Sequence, residues 1–284
     1  MEKGYRMTTI NSLSGGRTSS YLAVHYPADY ELFAVVCVDD HNAGKDLPRW
    51  LIQEVNDRLQ KYCPHWPEFR ATTEDPLTLT AILDLEQVIG REIIWLRGMG
   101  WEEMMRKRKA VPNRQRRFCT SVMKMEPIFE WCYKYTDLPV EMRMGYRYDE
   151  IERSFSTSTT MKFATHCELH RKRHRWQEIE WRECTFPLIE DRITHYQVRQ
   201  YWKGKHIVFP ADSNCQNCFW KHEQQLRKNM ETNPTIMKWA AVMEEIHGHT
   251  FKDEYSLLQI QNIGIQQDFF FGTGAGCQAG FCTD

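Results

Sequence analysis

The sequence predicts an α/β protein: a doubly wound, mainly parallel sheet with helices on both faces and a more helical C-terminal part. Three observations carry this. Strand-like and helix-like segments alternate through the first half. The segment "ELFAVVCVDD" (31–40) is an unbroken apolar run ending in two acids, as in a strand buried on both faces. Polar clusters close several of the strand-like segments. Such clusters belong at the carboxyl edge of a parallel sheet, where ligands of these folds sit.

The elements follow in order. "MTTINSL" has β-branched residues and the apolar pair Ile10 and Leu13, and reads as a short strand. "SSYLAVHY" follows as a helix, with Tyr21, Leu22 and His25 sharing a face. After the 31–40 strand, "LPRWLIQEVNDRLQKY" places Leu47, Trp50, Leu51, Val55, Leu59 and Tyr62 at helical spacing. "EFRATT" (68–73) is predicted as a third strand, "DPLTLTAILDLEQV" as a helix, and "PVEMRMGYR" (139–147) as a further strand. Beyond about residue 185 the chain turns helical. "THYQVRQYWKGK" opens with the capping-box pair Thr194 and Gln197, and "NPTIMKWAAVMEEIHG" carries Pro at a first helical position and Gly248 near its end. The predicted division is a nucleotide-binding α/β domain over 1–185 and a helical region over 186–284 ending in the glycine-rich "GTGAGCQAGFCTD".

Composition bounds the function classes. The chain has 284 residues, 42% hydrophobic and 26% charged, with a net charge of −1, a profile that suits globular domains. No apolar run approaches membrane-spanning length and the N-terminal stretch lacks a signal core, so the expectation is a cytoplasmic protein without a membrane partner. Ten cysteines in a reducing compartment point to metal binding or redox chemistry rather than disulfides. "RKRKAVPNRQRR" (106–117) and "HRKRHR" (170–175) are basic runs. They read either as solvated faces or as a surface for a polyanion, nucleic acid or a multiply phosphorylated nucleotide.

The chemistry centres on "SLSGGRTSSYL" (12–22). A glycine pair between strand and helix lets the backbone turn tightly and approach a ligand, and the helix start then offers unpaired N–H groups to an anion. Phosphate is the predicted guest, held by Ser14, Gly15, Gly16, Arg17, Thr18 and Ser19. The spacing is neither a Walker A loop nor a dinucleotide fingerprint. Asp39–Asp40 and "GYRYDE" are predicted at the same sheet edge. "SNCQNCFWK" supplies Cys215 and Cys218 at a spacing that lets two thiolates reach one metal; Cys37 and Cys63 read as ordinary buried residues.

The loop S-G-G-R-T-S resembles the PP-loop, S-G-G-x-D-S, of the adenine-nucleotide α-hydrolase and PAPS reductase superfamily. Further matches follow in the family's order. "RFCTSVMKMEP" gives Cys119, Lys124 and Pro127; "MGYRYDEIERS" gives Gly145, Arg147, Asp149, Glu150 and Arg153; "FPLIEDRITHYQVRQYW" matches a Pro-Leu stretch and the helix after it. The resemblance covers most of residues 8–220. It implies a Rossmann-like, HUP-type fold, an adenine nucleotide (ATP, or APS or PAPS) on the loop with Mg²⁺ as a candidate companion, and Lys124, Arg147 and Arg153 as cations around the phosphates. It also implies a [4Fe–4S] cluster on Cys119, Cys215 and Cys218, with zinc as the alternative; for a fourth ligand the tail offers Cys277 and Cys282, while Cys132 and Cys184, each within an apolar stretch, are less natural. Cys282 stands equally as ligand, nucleophile or persulfide carrier.

The chain departs from the family at two places. Arg17-Thr18 replaces the Lys-Asp of many members, removing a carboxylate that helps organise Mg²⁺, a role Asp39 or Asp40 would have to take over. The tail "GCQAGFCTD" lacks the E-C-G-x-H form of the sulfonucleotide reductases. Three functions follow as expectations. The first is ATP-dependent adenylation, with pyrophosphate release, coupled to iron–sulfur-dependent sulfur transfer onto a nucleic acid or small metabolite. The second is reduction of APS or PAPS to sulfite. The third is a non-catalytic nucleotide- or nucleic-acid-binding component. Either enzyme would need an electron or sulfur donor protein, and a homodimer is compatible with all three.

Overall fold

The computed structural model describes residues 6–168 and 173–264, with side chains given outside 164–175. Five parallel strands form the central sheet in the order β3-β2-β1-β4-β7: β1 (Thr9–Leu13), β2 (Tyr30–Val35), β3 (Ile93–Arg97), β4 (Val140–Arg143) and β7 (Arg182–Thr185). An antiparallel hairpin, β5 (Thr160–Glu168) with β6 (Arg173–Glu180), stands apart from it. This is the expected α/β class with a parallel sheet. The chain starts at β1, winds outward through β2 and β3, then returns to the other side of β1 at β4. The order therefore reverses between β1 and β4.

Alternation along the strands buries both faces. Phe33, Val35, Ile93 and Trp95 point into one core with α1 (Arg17–His25), α2 (Arg49–Tyr62) and α3 (Pro76–Ile89). Leu32, Ala34, Ile94, Leu96, Val140 and Met142 point into the other, against α6 (Glu126–Tyr135). Such two-sided burial is what makes a parallel strand read as continuous hydrophobe. Between these, α4 (Trp101–Arg108) follows β3, and α5 (Phe118–Thr120) enters α6 through a π turn at Ser121–Met125. α7 (Pro187–Glu190) and α8 (His195–Trp202) come after β7. α8 opens as predicted, with the Gln197 side chain accepting from the Thr194 N–H at 2.7 Å.

A third core lies beyond the carboxyl edge of the sheet. There Val36 and Val38, leaving β2, meet Trp101, Met104 and Met105 of α4 and the helices α9 (Glu223–Thr232), α10 (Pro234–His247) and α11 (Leu257–Gln261). Pro234 is at the start of α10, and Gly248 closes it in the left-handed region, as its sequence signals require.

Three predicted details change. "EFRATT" is not a sheet strand; it makes a single antiparallel bridge, Val38 to Ala71. The third strand is "IIWLR" at 93–97, a run of apolar residues that follows α3 directly. The 31–40 run forms a strand only as far as Val35, because Val36 and Val38 are used by the third core. Among the described residues no helix is long and apolar enough to cross a membrane.

Candidate functional site

The site grows from the point where the sheet order reverses, outside the ends of β1 and β4, the place where open α/β sheets bind ligands. The glycine loop Ser14–Gly16 leaves β1 there. Gly15 has φ +75°, and a Cβ on it would lie 2.4 Å from the Thr78 Cγ2 of α3, so no other residue fits. The serines tie the loop to itself. Ser14 N–H donates to Ser19 Oγ (3.1 Å), and the Ser19 hydroxyl donates to the Gly16 carbonyl (3.2 Å). The N-terminus of α1 has no side-chain cap and no acid in its first turn. It therefore presents unpaired N–H groups and the positive end of the helix dipole, the standard receiver for a phosphate.

The end of β4 supplies the facing wall. Gly145 packs against Ser19 closely enough that a Cβ would be 3.1 Å from the Ser19 Cα. Arg147 then donates from Nη1 to Thr18 Oγ1 (2.9 Å) while its Nε and Nη2 hold Asp149 (3.2 Å) and Glu150 (2.7 Å). Arg153 is buried behind it, bonded to Glu150 at 3.3 Å and lying 4.3 Å over the Tyr146 ring. Thus Arg147 reaches the loop directly, whereas Arg153 braces the network that positions it. Arg17 turns away from the loop: it donates to the Pro210 carbonyl (3.2 Å) and lies over Phe209. Burial, and then the neighbouring Arg199, push its pKa below the usual arginine value.

Asp39 and Asp40 end the extension of β2 but are engaged elsewhere. Asp39 pairs with the buried Arg97 at 3.0 Å, and the Asp40 carboxylate accepts from the Asn42 N–H at 2.8 Å, capping a short turn at His41–Gly44. The Glu102 carboxylate accepts from both their backbone N–H groups. The structure gives neither aspartate a contact with residues 14–19.

The second half of the site is a small cavity of about 50 Å³. Cys119, Cys215 and Cys218 all line it, with Trp101, Met123, Phe219 and Phe251 as apolar walls. Two local devices bring the thiols together. The widened π turn after Cys119 sets Thr120, Met123 and Lys124 on the cavity side with it. In the other segment, Cys218 N–H donates to the Cys215 carbonyl and Lys221 N–H to the Cys218 carbonyl, both at 3.0 Å, so the chain turns with both thiols inward. That turn is anchored by the buried Lys221–Asp212 ion pair and by Gln216 N–H donating to the Thr73 carbonyl (2.6 Å). Burial, reinforced by the neighbouring Cys218, pushes the Cys119 thiol up to about 11, and burial beside Glu74 pushes Cys215 higher still. Lys124, on the cavity wall, pairs with Glu74 at 3.1 Å. Asn217 is fully buried at the cavity, with neither atom of its side-chain amide hydrogen-bonded.

A short segment joins the two halves. Ser213 faces the glycine loop, its Oγ 3.1 Å from where a Gly16 Cβ would stand, and Cys215 and Cys218 follow at once. Ser213, Asn217 and Glu74 are not among the residues the sequence singles out. The first two sit inside "SNCQNC" and are legible there as polar company for thiols, whereas Glu74, Trp101 and Phe251 come from distant segments and carry no sequence signal.

The donor chemistry fits a soft metal group: three thiols in an apolar cavity with a cation and an unpartnered amide at its wall. Among the described residues, no three His, Cys, Asp or Glu side chains close around a single ion. The thiols line the cavity rather than converge on one point. Cys277 and Cys282 lie outside the described residues. Of the basic runs, Arg114 and Arg117 stack over Trp220, at 5.1 and 5.5 Å, next to the cysteine segment, while residues 170–172 lie outside the described part. No protein-family model, curated protein or solved structure matches the chain.

Proposed function

We propose that the chain is an iron–sulfur PP-loop protein of the PAPS reductase type, with a HUP-type nucleotide-binding domain. In this reading it adenylates an acceptor at the expense of ATP, releases pyrophosphate, and replaces the activated oxygen by sulfur. The acceptor is a nucleic acid or a small metabolite. The observation that carries the reading is the contiguity of the two half-sites: an uncapped helix N-terminus at the sheet's reversal point, joined through Ser213–Cys218 to a cavity lined by three thiols.

Each residue has a role in that chemistry. The N–H groups at Gly15, Gly16 and Arg17 hold phosphate oxygens, and Arg147 adds a planar cation where negative charge accumulates as the acceptor oxygen attacks the α-phosphorus and pyrophosphate leaves. A hydrosulfide then displaces AMP from the adenylated carbon, a substitution that needs no net oxidant. Lys124, paired with Glu74, places positive charge at the wall of the thiol cavity. Cys119, Cys215 and Cys218 would hold a [4Fe–4S] cluster, which when bound supplies iron able to coordinate inorganic sulfide. Thiols spread around a cavity suit a cluster better than a single zinc ion, which draws its ligands to about 2.3 Å.

One observation favours a second reading, reduction of APS or PAPS to sulfite. The loop has no carboxylate of its own, Thr18 is bonded to Arg147, and Asp39 is committed to Arg97, so the family's loop acid is missing and Asp39 is not free to replace it beside Mg²⁺ on ATP. Anaerobic protein incubated with ATP, Mg²⁺ and bulk RNA, DNA or a small-metabolite extract as acceptor, and separately with APS or PAPS and a dithiol, separates the two. Pyrophosphate from the first supports adenylation; sulfite from the second, without pyrophosphate from the first, replaces it.

A further inference from the structure

Beside the glycine loop, α8 and the segment 207–211 enclose an open cleft of about 1160 Å³ that neither half-site uses. Its lining includes Arg17, His195, Arg199 and Lys203 and contains no Asp or Glu. Its cations are Arg17, Arg199 and Lys203, and Arg17 and Arg199 are close enough that Arg199, after burial, lowers the Arg17 pKa; burial and then Arg147 bias His195 toward its neutral form. Of the neighbouring carboxylates, Asp149 accepts from the His195 backbone N–H and is paired with Arg147, and Asp212 is paired with the buried Lys221. Neither Arg199 nor Lys203 makes an ion pair among the described residues. Like charges gathered without counter-charges are an arrangement that a bound anion stabilises.

The cleft is not built for charge alone. α8 buries Val198 and Trp202 against the sheet-side core and turns Tyr196, Arg199 and Lys203 outward on one face, at positions three and four apart. Tyr196 is 70% exposed, and Val208 across from it is 59% exposed. Lys203 directly follows the last residue of α8, and at about 1.5 Å per residue Tyr196 and Lys203 stand about 10 Å apart along the helix axis. A row of cations flanked by an exposed aromatic ring is the chemistry that recognises unpaired bases on a phosphodiester backbone, since stacking requires bases outside a duplex. Arg17, the first residue of α1, forms the inner end of the row, directly after Gly16.

We propose that this cleft binds a single-stranded polynucleotide, with Tyr196 stacking on a base and Arg199 and Lys203 contacting successive phosphates, so that the strand runs toward the glycine loop. The inference deepens the adenylation reading by making the acceptor a nucleic-acid strand, and it rests on that reading for why the strand leads there.

The test is fluorescence anisotropy of the full-length protein with labelled single-stranded RNA and DNA 15-mers and the matching duplexes, over a salt series. Single strands are expected to bind more tightly than duplexes, and the preference between RNA and DNA names the source. R199Q/K203Q should weaken binding at least tenfold and reduce the slope of log K against log[salt] by about 1.4, at about 0.7 for each phosphate no longer neutralised. Tyr196→Ala should weaken binding about tenfold while leaving the slope unchanged. All three side chains are exposed, and unchanged thermal melting and ATP binding verify that the variants are folded. Duplex preferred over single strand, wild-type affinity in R199Q/K203Q, or equal competition by polyglutamate would each overturn the proposal. Strand binding at α8 without pyrophosphate release from ATP would sink the adenylation reading and leave the cleft; pyrophosphate release without strand binding would do the reverse.

Discussion

The glycine loop and the cysteine cavity are neighbours made in opposite ways. The loop is a backbone device: six consecutive residues, one glycine that has no substitute, and serines that hydrogen-bond back onto the loop. The cavity is a side-chain device, assembled from α5 and the π turn at 121–125, a tight turn at 212–221 and walls from α4 and from Phe251. Each has its own failure mode. A backbone site is lost when its conformation is lost, whereas a side-chain site is lost ligand by ligand while the surrounding fold survives.

The contrast is broken most severely by Gly15→Ala. The new Cβ would meet Thr78 Cγ2 at 2.4 Å and the Thr78 carbonyl at 3.1 Å, in a left-handed backbone that alanine resists. We expect about 3 kcal/mol or more of lost stability, from strain and overpacking together, and at least a hundredfold loss of ATP affinity; calorimetry and nucleotide titration measure both. Wild-type ATP affinity in this variant would mean that the loop is not the nucleotide site.

The next effect sharpens the cavity side. Glu244 of α10 lies in the core behind the cavity, with its carboxylate accepting from the N–H groups of Phe251 and Leu257, at 2.8 and 2.7 Å. Burial pushes its pKa up to about 7 against those two donors. Because the folded pKa exceeds the unfolded one, the folded protein holds the extra proton between about pH 4.5 and 7 and loses stability as pH rises through that window. Relative to Glu244→Gln, the wild type should therefore lose up to about 3 kcal/mol from about pH 4.5 to 8. Urea melts at several pH values would show a constant gap if the carboxyl were ionised throughout.

Arg147→Lys has a smaller expected effect. It keeps the charge but loses the planar fork that bonds Thr18, Asp149 and Glu150 together. A loss of about 1 kcal/mol in nucleotide binding is expected, near fivefold in affinity, with thermal stability little changed. An unaltered affinity would remove Arg147 from the phosphate site and leave it as a bracing residue like Arg153.

This difference in construction also explains what the sequence makes legible. The loop, its strand and helix, the α8 capping box and both ends of α10 are legible because each signal is local: a glycine pair, a Thr-x-x-Gln, a Pro and a Gly at the right offsets. Gly90, which closes α3 in the left-handed region, does mark a helix end ahead of β3, but "IIWLR" is a bare five-residue apolar run whose pattern alone does not separate strand from helix. "EFRATT" has the alternation of a strand but no neighbour to pair with beyond one bridge. The grouping of Cys119 with Cys215 and Cys218 comes from resemblance alone, since nothing in a spacing of nearly a hundred residues encodes proximity. The commitment of Asp39 to Arg97 is invisible for the same reason, as it depends on which strand lies beside β2.

The measurement that tests the central claim most directly is the iron, acid-labile sulfide and zinc content per chain of anaerobically purified protein, taken alongside Cys215→Ala and Cys119→Ala. The account predicts about four irons and four sulfides per chain, lost in both variants while ATP affinity stays at the wild-type value. Zinc or no metal in the wild type, or iron retained in both variants, would contradict it.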